Sequence, residues 1–582
     1  MKAATRERLI LTALLAAGAV VFFLGIDWGL PSRRIDPYLF GSADKAWTGA
    51  EIVAAGGAWK PDPNRAADAA AEPIKDRSHV IWLNETPKQQ AEIIRRYRLF
   101  SYQPDEMVTF MALAGMRGGS FDPRMYQYGG LWIYPVGAML KAAARMGAVE
   151  VTPDFQTYLD RPEAFGRFYI VARIYSALWG LVGIWTVFCL ASRFSERVIV
   201  PATAAGCFLL MPVVINGAHE AKPHLAGAVL VLLSVLAAVK YAETGRRKWW
   251  LITGVMCGMA AGMVLSAGVA LVVIPLMTLV RAGTWGNRVK VTVAAVLVAV
   301  LVYCVTNPYV PINLVRNPTV LKANLSALGQ AKAIVGKSSD VGALSNARRL
   351  IIDGASVVGG VTGLIGILIM VVNRAWWEDR RWRNVAVLLG APAGLVLIQF
   401  TLMAAGKPGE FGRFFILPDV ALVLIAVVMV SSIGVGQRWP VPIFLSLVML
   451  AGFQGLAYLA GFLEDARVEG SSRMVAAERL KELWNRGART IGVRVDPAPY
   501  CLPPIDVTRW KMLLLPADWQ PTAGGDSPDV IVSPVDEIGL AGEVAGTSYV
   551  RRFCAGEKPW IKTRISWADK PIEILVRREM IR

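Results

Sequence analysis

The chain has 582 residues, 54% hydrophobic and 18% charged, with a mean hydropathy of +0.44 and a formal net charge of +18. So little charge over so much apolar sequence is rare in a water-soluble globular protein, and apolar runs of about 18 or more residues recur, the length a helix needs to cross a bilayer. The positive excess does not point to nucleic acid: Lys and Arg fall mainly in short loops between apolar runs, where they set topology, and nothing resembles a nucleic-acid module.

The start "MKAATRERL" precedes an apolar run, Ile10 to Ile26, that ends in "DWGLPSRR" without a small-residue cleavage site. It reads as an uncleaved first span with Lys2, Arg6 and Arg8 on the inner side, giving an N-terminal membrane helix over 1–27. Residues 28–166 are mostly polar and form a long first outer loop. An Ala/Asp/Pro-rich patch comes first, then a helical stretch near 86–99. The segments Met107 to Met116 and Leu131 to Met146 suit helices lying on the membrane surface. Residues 167–462 form the membrane core. Spans are expected near 168–192, 196–216, 224–241, 249–265, 267–281, 289–306, 354–372, 385–404, 411–434 and 441–462. The pair at 249–281 runs almost unbroken through Ser266 and also reads as one long kinked helix. With the first span this makes about eleven transmembrane helices.

The loops agree. The inner loops "SRFSER", "KYAETGRRK", "RAGTWGNRVK", "NRAWWEDRRWR" and "GQRW" all carry Lys or Arg, whereas the short outer loops "NGAHEAKP" and "AAGKPGEFGR" hold few. The first loop and the tail therefore fall on one outer side. The tail, 463–582, loses membrane character. "MVAAERLKELWNRG" reads as an amphipathic helix stopped by Gly487, and "TIGVRV", "DVIVSPV" and "IEILVRR" read as strands, so a small α/β domain is expected. Cys189, Cys207, Cys257 and Cys304 lie in apolar runs and are core residues. Cys501 and Cys554 lie in the tail, where an oxidising compartment allows a disulfide.

The topology gathers ionisable residues near one face. Asp105 and Glu106 follow Pro104 in "QPDEM". Pro and acidic residues also mark ordinary helix starts. The functional reading makes one carboxylate a general base, since adjacent helical residues point about 100° apart and only one can face a reaction centre. Lys222 and Arg413 supply the positive charge that a departing phosphate needs, and His219 is placed to hydrogen-bond it. Asp122, Tyr126, Tyr128, Tyr134, Asn307, Tyr309 and Glu410 are candidates for holding a sugar or an acceptor, although interfacial tyrosines are routine. His79, His219 and His224 do not have metal-site spacing.

In order along residues 25–430, "DWGLP", "QPDEM", "GGSFDPRMYQYGGLWIYPVGAML", "VARIYSALWG", "NGAHEAKPHLAGAVLVL", "TNPYV" and "GEFGRFFILPDVAL" resemble the GT-C superfamily of integral-membrane glycosyltransferases. The resemblance is to its protein-mannosyltransferase-like and aminoarabinose-transferase-like branch, glycosyltransferase family 39. It implies a polytopic helical fold and transfer of a hexose or pentose from a polyprenyl-phosphate donor to a glycan, lipid or protein acceptor, with inversion. It implies Asp105 as base with Glu106 its neighbour, His219 and Lys222 near the carrier phosphate, and Arg413 as the late arginine. No cofactor is demanded, and a divalent metal is compatible with the superfamily. Two departures stand out. Some seventy residues, an insertion at 33–100, intervene before the acidic pair, and His224 stands where many relatives carry an acidic residue. A bacterial inner membrane is expected, with the N-terminus cytoplasmic and the tail periplasmic. The alternative is a lipid or glycan flippase, which would show charges deep within spans or a repeat in two halves.

Overall fold

The computed structural model describes residues 3–57, 80–116, 119–324, 343–372, 378–403, 412–432, 440–493, 502–516, 519, 521, 527–534, 548–556 and 565–581. Glu410 and Cys501 lie outside them, so the Glu410 role and the Cys501–Cys554 disulfide concern residues outside this description.

The chain is mostly helical and is a multi-pass membrane protein. Among the described residues five helices are long and apolar enough to span a bilayer: Pro162–Ala191, His224–Thr244, Trp285–Thr306, Trp382–Thr401 and Val441–Arg467. Two bent pairs, Ile199–Leu209 with Pro212–His219 and Ala347–Ala355 with Val357–Val372, raise this to as many as seven. The expected count of about eleven is not reached by this measure, for identifiable reasons. The first helix, Ala3–Phe23, carries Arg6, Glu7 and Arg8 within its own length, and Leu265–Val280 and Ile416–Ser431 are shorter apolar helices. The stretch at 249–281 is neither one kinked helix nor two full spans. Helix Arg247–Met263 stops at Val264, whose extended backbone bridges to Tyr128, and a 3-10 stretch, Leu265–Val272, leads into Val273–Val280.

Helix packing is close where glycines allow it. Gly254, Gly258 and Gly262 recur at four-residue spacing and face Trp285–Thr306; a Cβ on Gly258 would stand 2.4 Å from the Ala299 carbonyl oxygen. Small residues at this spacing let helix backbones meet without a side chain between them. The far side of that helix leaves Leu297, Leu301 and Val305 more than 60% exposed, a surface suited to lipid.

The first loop is ordered by short-range chemistry. Thr86 and Gln89 form a reciprocal capping box at the start of Pro87–Leu99. Met107–Gly115 and Gly130–Arg145 match the two expected helices, and both bury one face, including Phe110 and Trp132.

Among the described residues the tail and the first loop together build a six-stranded sheet. Its strands are β1 Ile81–Trp82, β2 Thr490–Val493, β3 Lys511–Leu514, β4 Val530–Pro534, β5 Tyr549–Ala555 and β6 Ile572–Arg577, in the order β1-β3-β2-β4-β6-β5. β2 runs parallel to β3 and β4, and the other pairs are antiparallel. The expected strands are β2, β4 and β6, and the expected helix is Ser472–Asn485, followed by Gly487 at φ 103°. β1 comes from the first loop, so loop and tail share one sheet. The tail also contacts the segments around Tyr102 and Gly412. The Arg473 guanidinium lies 4.0 Å from the centre of the Tyr102 ring, and Ile565 sits where a Cβ on Gly412 would be, 2.7 Å away. The tail thus contacts two segments that carry candidate site residues.

Candidate active site

The Pro104–Glu106 3-10 turn leads directly into Met107–Gly115, and the turn separates the two carboxylates. Glu106 points inward and is fully buried. Arg173 grips it with two hydrogen bonds, Nε to Oε1 at 2.9 Å and Nη2 to Oε2 at 2.7 Å. Ser101 Oγ donates at 2.5 Å and the Ala221 amide at 2.6 Å. Arg173 in turn donates to the carbonyls of Ile26 and Trp28 and lies over the Trp28 ring. Four donors on one carboxylate tie the first span's exit, the loop, helix Pro162–Ala191 and the 219–223 turn into one knot. Expected beside Asp105 as a catalytic carboxylate, Glu106 has its oxygens occupied by this knot, which leaves it no approach for an incoming hydroxyl.

Asp105 points outward and keeps 42% of its side chain exposed. Lys222 Nζ donates to Oδ2 at 3.0 Å, and Arg413 Nη2 approaches the same oxygen at 3.2 Å. Burial opposes its charge, but Lys222 and then Arg413 outweigh that and hold the carboxyl well below the usual carboxylate range. Lys222 is itself buried and also faces Glu220 at 3.6 Å. Glu220 accepts from Gln103 Nε2 at 3.0 Å and Asn216 Nδ2 at 3.1 Å. The cluster is Asp105, Lys222, Glu220 and Arg413, two anions against two cations, brought together from three distant segments.

His219 and His224 have opposite settings. His219 was expected near a phosphate. Its ring is instead fully buried, with Nδ1 2.8 Å from the Ile215 carbonyl, Nε2 2.9 Å from the Leu24 carbonyl, and its face stacked on Phe462. It packs helix ends together and does not face the cluster. His224 does face it. It opens helix His224–Thr244 and, with Arg413, lines an apolar slot walled by Val264, Val396, Phe400 and Phe414.

The candidate acceptor residues form a separate network. Asp122 accepts from Tyr126 Oη at 3.0 Å and Asn313 Nδ2 at 2.7 Å. Tyr134 Oη donates to the Phe121 carbonyl, the Phe121 amide donates to Tyr309 Oη, and the Gly130 amide donates to Asn307 Oδ1. Burial, then the Asp122 carboxylate, pushes the Tyr126 hydroxyl pKa up. These groups satisfy one another and staple residues 120–134 to 307–313. Among the described residues of the expected set, Tyr128 turns to the cluster side, with its ring edge-on to His224. Sequence reasoning missed Arg173, Ser101 and Gln103 as site-forming residues; it placed Glu220 among the outer-face ionisable residues without giving it a role. The signal for Arg173 was present: an arginine inside an apolar run is costly and marks a buried partner. Among the described residues no three His, Cys, Asp or Glu side chains stand together as metal ligands. Asp105 Oδ2 faces two cations, Lys222 and Arg413, whereas the Glu106 oxygens are taken up by Arg173, Ser101 and the Ala221 amide.

A helical multi-pass membrane protein, with a carboxylate–cation cluster where its first loop meets the helix ends, is the class that fold and site define. Its resemblance to membrane glycosyltransferases holds on comparison: residues 164–312, which include Arg173, Glu220, Lys222 and His224, match the family model for dolichyl-phosphate-mannose-protein mannosyltransferase. Among solved structures, the chain is similar to ArnT from Cupriavidus metallidurans bound to undecaprenyl phosphate, at 14% identity and a TM-score of 0.46 over 97% of both chains. It is also similar to the oligosaccharyltransferase AglB from Archaeoglobus fulgidus in complex with an inhibitory peptide and a dolichol-phosphate, at 12% identity and a TM-score of 0.37 over 77% of this chain and 62% of that one. Among curated protein sequences none matches.

Proposed function

We propose that this protein transfers a sugar from a polyprenyl-phosphate donor to an acceptor hydroxyl or amine at the outer face of a bacterial inner membrane, with Asp105 as general base. The observation that carries the reading is the Asp105 carboxylate, solvent-accessible and held between Lys222 and Arg413. The family match over 164–312 supports the reaction class, and the basic inner loops support the outer-face location.

In this reading the donor's anionic phosphate competes with Asp105 for the two cations. Once phosphate takes over Lys222 and Arg413, Asp105 loses the charges that depress its proton affinity and becomes a better base. It removes the acceptor proton as the acceptor attacks the anomeric carbon. The anomeric C–O bond to phosphate breaks, its electron pair leaves with the phosphate, and the configuration inverts. The transition state is oxocarbenium-like, and Lys222 with Arg413 stabilises the charge developing on the leaving group. Glu106 acts through position: the knot it forms with Arg173 fixes the turn that presents Asp105.

A flippase reading would rest on Asp419, buried in the apolar helix Ile416–Ser432, with neither carboxylate oxygen hydrogen-bonded among the described residues. One experiment separates the two. Purified wild type and Asp105→Asn are given a panel of radiolabelled polyprenyl-phosphate sugars with varied acceptors. Consumption of one donor by wild type, lost in a folded Asp105→Asn, is expected. Donor untouched by wild type but moved across vesicle membranes would overturn the transferase reading.

A further inference from the structure

The slot beside Asp105 contains a polar group that the chemistry above does not use. His224 is buried, with a relative exposure of 8%, and neither Nδ1 nor Nε2 has a hydrogen-bond partner among the described residues. Leaving a buried donor or acceptor unmade is costly, so such groups call for an explanation: local strain, a catalytic role, or a bound water or ion. His219 shows the contrast five residues earlier, where both ring nitrogens face carbonyl oxygens.

The position of the ring indicates the ligand. His224 is the first residue of a 21-residue helix, at the end where backbone N–H groups and the helix dipole favour an anion. The His224 ring packs edge-on to Phe414 at 4.7 Å, and the Arg413 guanidinium lies 5.0 Å from the same ring's centre. One aromatic platform therefore presents an imidazole and a guanidinium to the same slot, whose remaining walls are largely aliphatic and aromatic. Asp105 and Lys222 complete the charged surroundings, and Tyr128 closes the other side of the ring. A hydrocarbon chain ending in a phosphate has the matching chemistry: the chain in the apolar part, the anion at the His224–Arg413 end.

We propose that His224 is a phosphate-contacting residue, donating a ring N–H to a non-bridging oxygen of the carrier phosphate while Arg413 supplies the positive charge. The proposal rests on the polyprenyl-phosphate reading of the site and adds to it a residue that sequence resemblance assigns no such role.

The test uses the full-length protein in detergent, with farnesyl phosphate and farnesol as probes that differ only in the phosphate. His224→Ala is expected to weaken farnesyl phosphate binding about tenfold, the loss of one hydrogen bond to a charged group, and to leave farnesol binding unchanged. His224→Gln, which restores an N–H donor, is expected to recover most of the affinity. Melting temperatures of both variants show whether the fold is retained. Equal weakening for farnesol and farnesyl phosphate would make His224 a packing residue and overturn the proposal, as would unchanged phosphate affinity in His224→Ala. Arg413→Gln separates the two levels. If it weakens farnesyl phosphate binding and His224→Ala does not, the site reading stands and the His224 role falls. If wild type does not prefer farnesyl phosphate to farnesol, both fall.

Discussion

Asp105 and Glu106 are bonded neighbours with opposite surroundings. Glu106 is sealed, and its oxygens are met by a guanidinium, a hydroxyl and a backbone amide that other packing holds in place. Asp105 is open, and its Oδ2 is met by the ends of two long side chains. The rotation of about 120° per residue along a 3-10 turn is enough to send one carboxylate into the core and its neighbour into a cleft. The lesson concerns what each can exchange. A carboxylate bound by fixed dipoles is part of the scaffold, whereas one bound by mobile cations yields them to a competing anion. Glu106 is fitted to hold the turn, and Asp105 to change partners.

The sharpest way to break this contrast is to neutralise each carboxylate separately. Asp105→Asn is expected to lower kcat/KM for transfer by about 10²–10⁴-fold, the span of general-base contributions, with a melting temperature close to wild type because the site is half open to solvent. Glu106→Gln should do the reverse. It strips the charge from a buried pair and leaves Arg173 unmatched, a change that costs about 3–5 kcal/mol of stability and is read by thermal unfolding and yield. The activity of the molecules that fold should stay within about tenfold of wild type, because the residue acts through position. If Glu106→Gln folds normally and is inactive, the two roles are exchanged. A gentler probe is Ser101→Ala. It removes one donor to Glu106 and should cost about 1–2 kcal/mol by melting, with kcat little changed.

Much of this was legible in the sequence, and what was not has physical reasons. "QPDEM" marked the carboxylates, and the outer loops marked Lys222 and Arg413, because charge beside an apolar run is conspicuous. The helix at Pro87–Leu99 and the strands β2, β4 and β6 are local patterns, and they formed where local patterns predict. The division of labour between Asp105 and Glu106 depends on Arg173, 67 residues further along the chain, and no local pattern encodes such a pairing. The same holds for the two histidines. His219 and His224 sit in one short stretch, and only the packing of Phe462 and Phe414 decides which ring is sealed and which lines the slot. Asp122 and Tyr126 read as a binding pair in sequence because Asn313, the partner that occupies both, lies 191 and 187 residues further along the chain. β1 is two residues long and has no pattern of its own; its partner strand defines it.

The finest test of the contrast is its pH dependence. Lys222 and Arg413 face Asp105, with His224 close by, and together they hold its pKa below the ordinary value of 3.8. A depressed carboxylate contributes stability that is fully present above the unfolded-state pKa and is lost as pH falls through the folded one. The melting-temperature difference between wild type and Asp105→Asn should therefore be flat above about pH 5 and change only as pH drops below 3.8. Kinetics adds a second reading of the same group. The acid limb of kcat/KM reports the free enzyme, in which Asp105 is paired, and that of kcat reports the donor complex. If phosphate draws the cations away from Asp105, the kcat limb lies at higher pH than the kcat/KM limb. Glu106→Gln, which leaves the Asp105 cations untouched, should preserve that separation. Coincident limbs would mean that Asp105 keeps Lys222 and Arg413 throughout turnover, and the phosphate would then need another source of positive charge.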